Sequence, residues 1–249
     1  MNIITLGTSH GDPTNERFSS STLFEINDSY YLFDSGPPVN ALMIRKQKSF
    51  HKIKAVFITH MHEDHVGGLP SLIKALIKRP QTGQSTKIYL PEACAVDPLK
   101  KWLHAMHLTK YPELVTFRVT HQGHVYTDDN LTVSAISTQH LTRDGVSVSF
   151  AYIIDFKGKK VLYTGDLKSD FSDFPEVACS RHFDMIICES THYKPKAALP
   201  VLVNAKTDQL VFNHVYNDWH GEGEKNLLAI YKNLPFTVSV AHDGDEFII

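Results

Sequence analysis

Short apolar runs rich in Ile, Val, Leu and aromatic residues recur along the chain, separated by stretches with helical spacing. Residues 3–6 form the first strand candidate, which Gly7-Thr8-Ser9-His10-Gly11-Asp12-Pro13 breaks with turn formers. A polar loop runs on to Ser21. Residues 23–26 and 30–33 read as paired strands joined at Asn27-Asp28-Ser29, and Asp34-Ser35-Gly36-Pro37-Pro38 ends the second. Residues 39–49 predict a short basic helix and 54–58 a buried strand. Leu69, Leu72, Ile73, Leu76 and Ile77 then recur at helical spacing, so a helix with one apolar face is expected to stop before Pro80. Residues 87–90 form another strand. Pro91 opens a helix to about His107, with Leu99, Trp102 and Met106 as core or cap residues.

The second half repeats this alternation. Strands are expected at 115–119 and 131–137, the latter ending at Thr138-Gln139-His140. Residues 146–154 and 159–163 predict a hairpin across 155–158, followed by Thr164-Gly165-Asp166. Strand 184–188 leads into Glu189-Ser190-Thr191-His192, and strand 209–212 into Asn213-His214. Helices are expected at 196–205, weakened by Pro200, and at 222–231. Strand 237–240 delivers Ala241-His242-Asp243-Gly244.

Composition narrows the class. The 249 residues suffice for a substantial core. The formal charge is −2 with histidines neutral, and no broad basic footprint for nucleic acid is evident. Lys74, Lys78, Arg79 and Lys87 read as a solvated helix face and loop. Cys94, Cys179 and Cys188 form no CxxC pair, which argues against a disulfide framework. The opening residues lack a basic leader, and no apolar stretch approaches membrane-spanning length. A cytoplasmic protein without membrane partners is expected.

The chemistry concentrates in Thr59-His60-Met61-His62-Glu63-Asp64-His65. Positions two apart in an extended segment point the same way, so His60 and His62 can converge on one ion at the end of strand 54–58. Asp64 and His65 lie at the turn into the next helix and can face a second site. Imidazole with carboxylate suits zinc, and equally manganese or iron. A lone strand-end histidine would read as a surface or capping residue, and Glu63 and Asp64 alone as helix N-terminal charges. Three histidines and an aspartate at this spacing argue for metal.

The pattern resembles the His-x-His-x-Asp-His signature of the metallo-β-lactamase fold superfamily. That resemblance implies an α/β, four-layer αββα sandwich over residues 1–249, one domain built from two αβ halves. It also implies two divalent ions, expected to be zinc. His60, His62 and His140 would hold the first, and Asp64, His65 and His242 the second. Asp166 would bridge them, and Asp34 would support the histidines from behind. An aspartate at 166, where the zinc β-lactamases usually have cysteine, turns the resemblance toward phosphodiesterases, thioesterases and lactonases.

Leu6-Gly7-Thr8, Phe33-Asp34-Ser35-Gly36, residues 184–191 and Asn213-His214 also resemble the ribonuclease Z-like phosphodiesterase branch. In that likeness Glu189 supports His214, which protonates the leaving oxygen or stabilises charge on phosphate, and Asp64 serves the reacting centre. The short interval between His140 and Asp166 leaves no room for the long arm with which ribonuclease Z proteins grasp transfer RNA, so structured tRNA is not an expected partner. The expected substrate is a small or cyclic nucleotide or related phosphodiester, attacked by hydroxide at the metals. Lactone or thioester hydrolysis, tRNA 3′ processing and a non-catalytic nucleic-acid-binding role stand as alternatives. The branch suggests a homodimer. His10, His121, His124 and His220 are further candidates to line the pocket, with Tyr216 and Trp219 beside the last.

Overall fold

The computed structural model describes residues 1–78, 80 and 83–249. Arg79, one of the four basic residues grouped above, lies outside the described residues. The chain forms two compact units, residues Met1–Thr120 with Asp243–Ile248, and His121–His242 with Ile249. Each carries its own seven-stranded sheet.

In the first unit β1 (Asn2–Gly7), β2 (Ser21–Ile26) and β3 (Ser29–Phe33) form an antiparallel meander. The strand Asp245–Ile248, which sequence periodicity did not reveal, pairs with β1 and forms that edge. Beyond β3 the pairing turns parallel through β4 (Ile53–Phe57), β5 (Thr86–Leu90) and β6 (Val115–Val119). Parallel neighbours need crossovers, and α1 (Val39–Arg45), α3 (Leu69–Lys78) and α4 (Val96–Ala105) lie on them. Between β4 and α3 the chain makes the single turn α2 (Glu63–Val66). Leu69, Leu72, Ile73 and Leu76 are buried along α3, each contributing about 1.5–3 kcal/mol. Their cluster includes Ile4, Leu32, Val56 and Ile88 from the strands, so α3 is fastened to the sheet whose β4 carries the histidine motif.

The basic helix expected over 39–49 ends at Arg45, with a separate 3₁₀ turn at Phe50–Lys52. The helix expected from Pro91 begins only at Val96, after a 3₁₀ turn at Ala93–Ala95. Trp102 on α4 is exposed, and its neighbour Leu103 is the buried residue. One residue is a 100° turn of helix, enough to exchange a core position for a solvent one.

The second unit runs antiparallel from β7 (Gly123–Thr127) through β8 (Thr132–Arg143) and β9 (Val146–Phe156) to β10 (Lys159–Tyr163). It then runs parallel through β11 (Met185–Ser190), β12 (Gln209–Val215) and β13 (Thr237–Val240). The helices α5 (Val177–Ser180), α6 (Pro195–Leu202) and α7 (Glu222–Tyr231) lie on the connections. His124 lies within β7, not in the loop expected there, and His140 lies inside β8, not at a strand end. The core gathers Leu162, Ile186, Cys188, Leu210 and Phe212 with Leu202 of α6 and Leu227 and Tyr231 of α7. Because β10, β11 and β12 are parallel, their C-terminal ends share one rim.

Two predictions follow from this packing. A methyl added at Gly36 would meet the Asp64 carbonyl oxygen at 2.1 Å and Ser19 at 2.8 Å. Gly36→Ala is therefore expected to destabilise the fold by about 2 kcal/mol or more, read by denaturant unfolding. Burial pushes the Cys188 thiol up to about 12, so at pH 8 only roughly one molecule in ten thousand carries the reactive thiolate. Iodoacetamide at pH 8 should label exposed Cys94 in the folded protein and Cys188 only after unfolding, as peptide mass spectrometry would show.

Candidate metal centre

The motif of the first unit is held from behind by one buried carboxylate. Asp34, at the end of β3, has a left-handed backbone with φ of 60°, which aspartate tolerates better than most residues. Its Oδ1 accepts the Thr59 backbone N–H at 2.8 Å, and its Oδ2 takes the His65 Nδ1–H at 2.8 Å. The Thr59 hydroxyl donates to the same carboxylate at 3.0 Å. That hydroxyl has one proton, so toward His60 it acts as acceptor, and His60 Nδ1 lies 3.0 Å away. Asp34 thus fixes His65 directly and His60 through Thr59.

The remaining ring atoms converge. His60 Nε2 lies 3.0 Å from His62 Nδ1, and His65 Nε2 lies 3.2 Å from Asp64 Oδ2. Two ligands about 2.0–2.1 Å from one tetrahedral zinc stand roughly 3.3 Å apart, so both spacings suit a shared ion. The turn is tied to the sheet by Ser35 N–H donating to the His65 carbonyl at 2.7 Å and Gly68 N–H to the Ser35 carbonyl at 2.8 Å.

The second unit carries its own cluster. Ligand atoms of Asp166, Glu189, His192 and His214 all lie within 4.8 Å of one another. Asp166, just past β10, turns its two oxygens to different histidines: Oδ2 is 3.7 Å from His140 Nε2, and Oδ1 is 3.6 Å from His214 Nε2. His140 Nδ1 lies 3.3 Å from the Leu167 carbonyl, and His214 Nδ1 lies 3.2 Å from the Thr191 hydroxyl. The Thr191 hydroxyl donates its proton to the His214 carbonyl, leaving its lone pairs for the ring. His140, His214, His60 and His65 therefore all tie Nδ1 to the protein and present Nε2, the arrangement that metal-ligating histidines require.

Both histidines of this unit sit at irregularities. The β8–β9 register shifts between Thr138 and Thr142, around His140. Asn213 pairs with Glu189 and Val215 with Ser190, so His214 is the extra residue of a bulge, with φ of 49°. Bulges re-aim side chains beside functional sites.

The geometry differs from the sequence expectation at two positions. His242 does not join the cluster of its unit. It lies beyond β13 with its ring 52% exposed and Nε2 2.9 Å from the Glu224 carboxylate. The histidine that the bulge turns onto Asp166 is His214, whose side chain is 4% exposed. Glu189, expected to support His214, stands 4.0 Å from its Nδ1 but 2.8 Å from His192 Nδ1. The same Glu189 oxygen accepts the backbone N–H of Thr191 at 3.1 Å and of His192 at 2.9 Å. His192, three residues after Glu189, went unassigned in the sequence; only its place after an acidic strand end could have pointed to it.

None of the other candidate histidines contributes a ligand atom to the grouped clusters among the described residues. His10 is buried, with Nδ1 accepting the Asp12 N–H at 3.4 Å. His121 is exposed, and His124 meets the Thr127 hydroxyl at 2.8 Å. His220 donates to the Val215 carbonyl at 2.9 Å.

The family model described as Anti-Pycsar protein Apyc1 matches residues 1–211. The chain belongs to this family. Among curated relatives, ribonuclease Z of Synechococcus sp. (strain CC9902) is 29% identical over 167 residues, which cover 63% of this chain and 49% of that protein. The chain spans about half the length of the curated relatives it matches. Among solved structures, the metallo-β-lactamase fold protein YhfI of Bacillus subtilis matches at a TM-score of 0.79 with 19% identity, covering 99% of both chains. The short form of human tRNase Z matches at 0.78 with 20% identity, over 100% of this chain and 99% of that one. The fold is the metallo-β-lactamase fold, of the ribonuclease Z-like kind. Among the described residues no helix is long and apolar enough to cross a membrane.

The hydroxyl of Thr59 is what passes the Asp34 constraint on to His60. Thr59→Val, which keeps shape but removes the acceptor, is expected to weaken divalent-metal binding by about 10- to 100-fold. Thr59→Ser should restore it. Competition against a chromogenic zinc chelator reads both outcomes.

Proposed function

We propose that this chain is a metal-dependent phosphodiesterase acting on a small or cyclic nucleotide or related phosphodiester. The observation that carries the reading is the bidirectional Asp166, with one oxygen toward His140 and the other toward His214. Such a carboxylate suits two cations, because its oxygens divide the charge. His60, His62 and His140 would hold one ion, and Asp64, His65 and His214 the other, with Asp166 shared. The likeness to metallo-β-lactamase fold structures covers nearly the whole chain, which supports this ligand set. Neutral imidazole with carboxylate fits zinc, and manganese or iron also accept this donor set. When bound, two such ions lower the pKa of water and neutralise phosphate charge.

The chain's own groups complete the chemistry. An oxygen from water attacks phosphorus, the bond from phosphorus to the leaving oxygen breaks, and the electron pair goes to that oxygen. An alkoxide is a poor leaving group and needs a proton. The His192–Glu189 pair is suited to give it. The carboxylate holds Nδ1, favours the imidazolium and leaves Nε2–H for the substrate. The His192 side chain is 30% exposed, whereas that of His214 is 4% exposed, so His192 is the histidine a leaving group can reach. A thiolate leaves without protonation, so this pair has a clearer task with a phosphodiester than with a thioester. β8 turns into β9 at Asp144-Gly145, and no extended arm rises between His140 and Asp166 among the described residues. That supports a small substrate over a folded RNA.

A panel of cyclic nucleotides, linear phosphodiesters, lactones and thioesters, assayed with zinc- and manganese-loaded protein, tests the reading. Turnover of phosphodiesters that chelator abolishes is expected, and turnover confined to acyl substrates would overturn it. His214→Ala should lose metal and activity together. His192→Ala should keep its metal and lose about 10²- to 10⁴-fold in kcat. His242→Ala should remain near wild type in both, measured by metal analysis and steady-state kinetics.

A further inference from the structure

One carboxylate of the second unit enters neither the sequence motifs nor the proposed reaction. Asp173 lies in the loop between β10 and α5. Its Oδ1 accepts the Lys168 N–H at 2.9 Å and its Oδ2 the Gln139 N–H at 2.6 Å. These two donors flank the contact behind one histidine of the cluster. Gln139 precedes His140, and Lys168 follows Leu167, whose carbonyl lies 3.3 Å from His140 Nδ1.

The Leu167 carbonyl and the Lys168 N–H belong to one planar trans peptide, in which the two point opposite ways. Pinning the N–H on one side therefore aims the carbonyl on the other. A hydrogen bond to a charged acceptor also polarises the peptide, which makes its carbonyl the better partner for a ring N–H. The preceding peptide is held as well, since Leu167 N–H donates to Glu189 Oε1. The second Asp173 oxygen acts on the strand that carries the ring. Where β8 leaves its register with β9, between Thr138 and Thr142, the Gln139 N–H goes to Asp173 and the Leu141 N–H to the Ser149 hydroxyl at 3.1 Å. The loop of Asp173 is itself anchored. Phe171 and Phe174 are buried in the core of this unit with their rings stacked at 4.9 Å, and Phe171 meets the Tyr193 ring edge-on at 4.4 Å. Phe171 N–H donates to the Lys168 carbonyl at 2.8 Å, in a turn where Phe171 has φ of 61°. A bulky residue tolerates that conformation poorly, and it persists only where the surroundings fix it.

We infer that Asp173 is a positioning residue for His140, holding with one carboxylate both the partner of the ring's Nδ1 and the backbone just before the ring. The inference rests on the metal-binding part of the proposed function and not on its substrate. Asp173 gives His140 what Asp34 gives His60, with the 167–168 peptide in the place of the Thr59 hydroxyl. His140 Nε2 is then left to face Asp166.

The test measures zinc affinity of the full chain by chelator competition, beside denaturant unfolding of the metal-free protein. Asp173→Asn keeps the shape but offers one acceptor oxygen where two N–H groups each need one. It should weaken zinc binding by about 10- to 100-fold. Asp184→Asn is the control for a purely structural loss. Asp184 accepts the Lys160 N–H at 2.7 Å just before β11, at the end of that strand opposite Glu189. This control should unfold more easily and keep the wild-type zinc affinity. Long-range proton–nitrogen NMR of the metal-free protein reads the ring itself. His140 should carry its proton on Nδ1 in wild type and shift toward the Nε2–H tautomer in Asp173→Asn, while His214, held by Thr191, stays as it was. An unchanged zinc affinity in Asp173→Asn overturns the inference. So does a loss that Asp184→Asn matches, or one that leaves the His140 tautomer unmoved. Should wild type bind no divalent ion, the metal reading fails by itself, and the His140 tautomer alone then decides for Asp173.

Discussion

An imidazole can offer a cation only one nitrogen, and the protein must hold the other. In both units a buried carboxylate and a threonine meet that requirement. Asp34 takes the Thr59 hydroxyl, and Thr59 stands at His60 Nδ1. Glu189 takes the Thr191 backbone N–H, and Thr191 stands at His214 Nδ1. In each case the carboxylate fixes the threonine and the threonine fixes the ring. The threonine proton is committed elsewhere, to Asp34 in one unit and to the His214 carbonyl in the other, so each hydroxyl meets the ring as an acceptor. The ring then carries its proton on Nδ1 and turns Nε2 outward.

This constraint explains where the backbone departs from regular geometry. Asp34 and His214 both have positive φ, a conformation that costs of order 1 kcal/mol or more outside glycine. Asp34 has to leave β3 and double back to reach Thr59 and His65. His214 has to leave the β12 ladder for its ring to lie between Thr191 and Asp166. The costs are met by the buried cores behind, where α3 is fastened to one sheet and α6 and α7 to the other. Rigid cores and irregular strand ends are parts of one arrangement, since a loosely packed strand could not hold a bulge in register.

How far all this is legible from sequence depends on how local its cause is. The His60 to His65 motif is legible because its geometry comes from adjacent residues, a strand followed by one helical turn. Most strands and the faces of α3 and α7 are legible for the same reason, since periodicity is a local record of burial. His214 and His242 are where local reasoning fails. His214 lies near the end of β12 and His242 just beyond β13, both of them parallel strands of the second sheet. Only the register slip against Glu189 and Ser190 makes one of them face Asp166, and neither Gly nor Pro marks that slip. Glu189 choosing His192 over His214 is also a distance effect: a partner three residues away in a tight turn reaches the carboxylate more closely than one on the neighbouring strand.

The displacement of Glu189 onto His192 changes what the second unit can do. Had Glu189 held His214, one histidine would have had to serve both as a ligand type and as proton donor. A ring nitrogen cannot give a proton while its lone pair is engaged by a cation. In the proposed reaction, dividing the tasks between His214 and His192 removes the conflict. His214 is buried, bound by Thr191 and turned to Asp166, while His192 is partly exposed and bound by the Glu189 carboxylate. Ring stacking keeps the two close, with centroids of His192 and His214 5.5 Å apart and nearly parallel. The separate hydrogen-bond partners prevent one ring from taking the other's place, so the chemistry of the rim is set by which acceptor each Nδ1 meets.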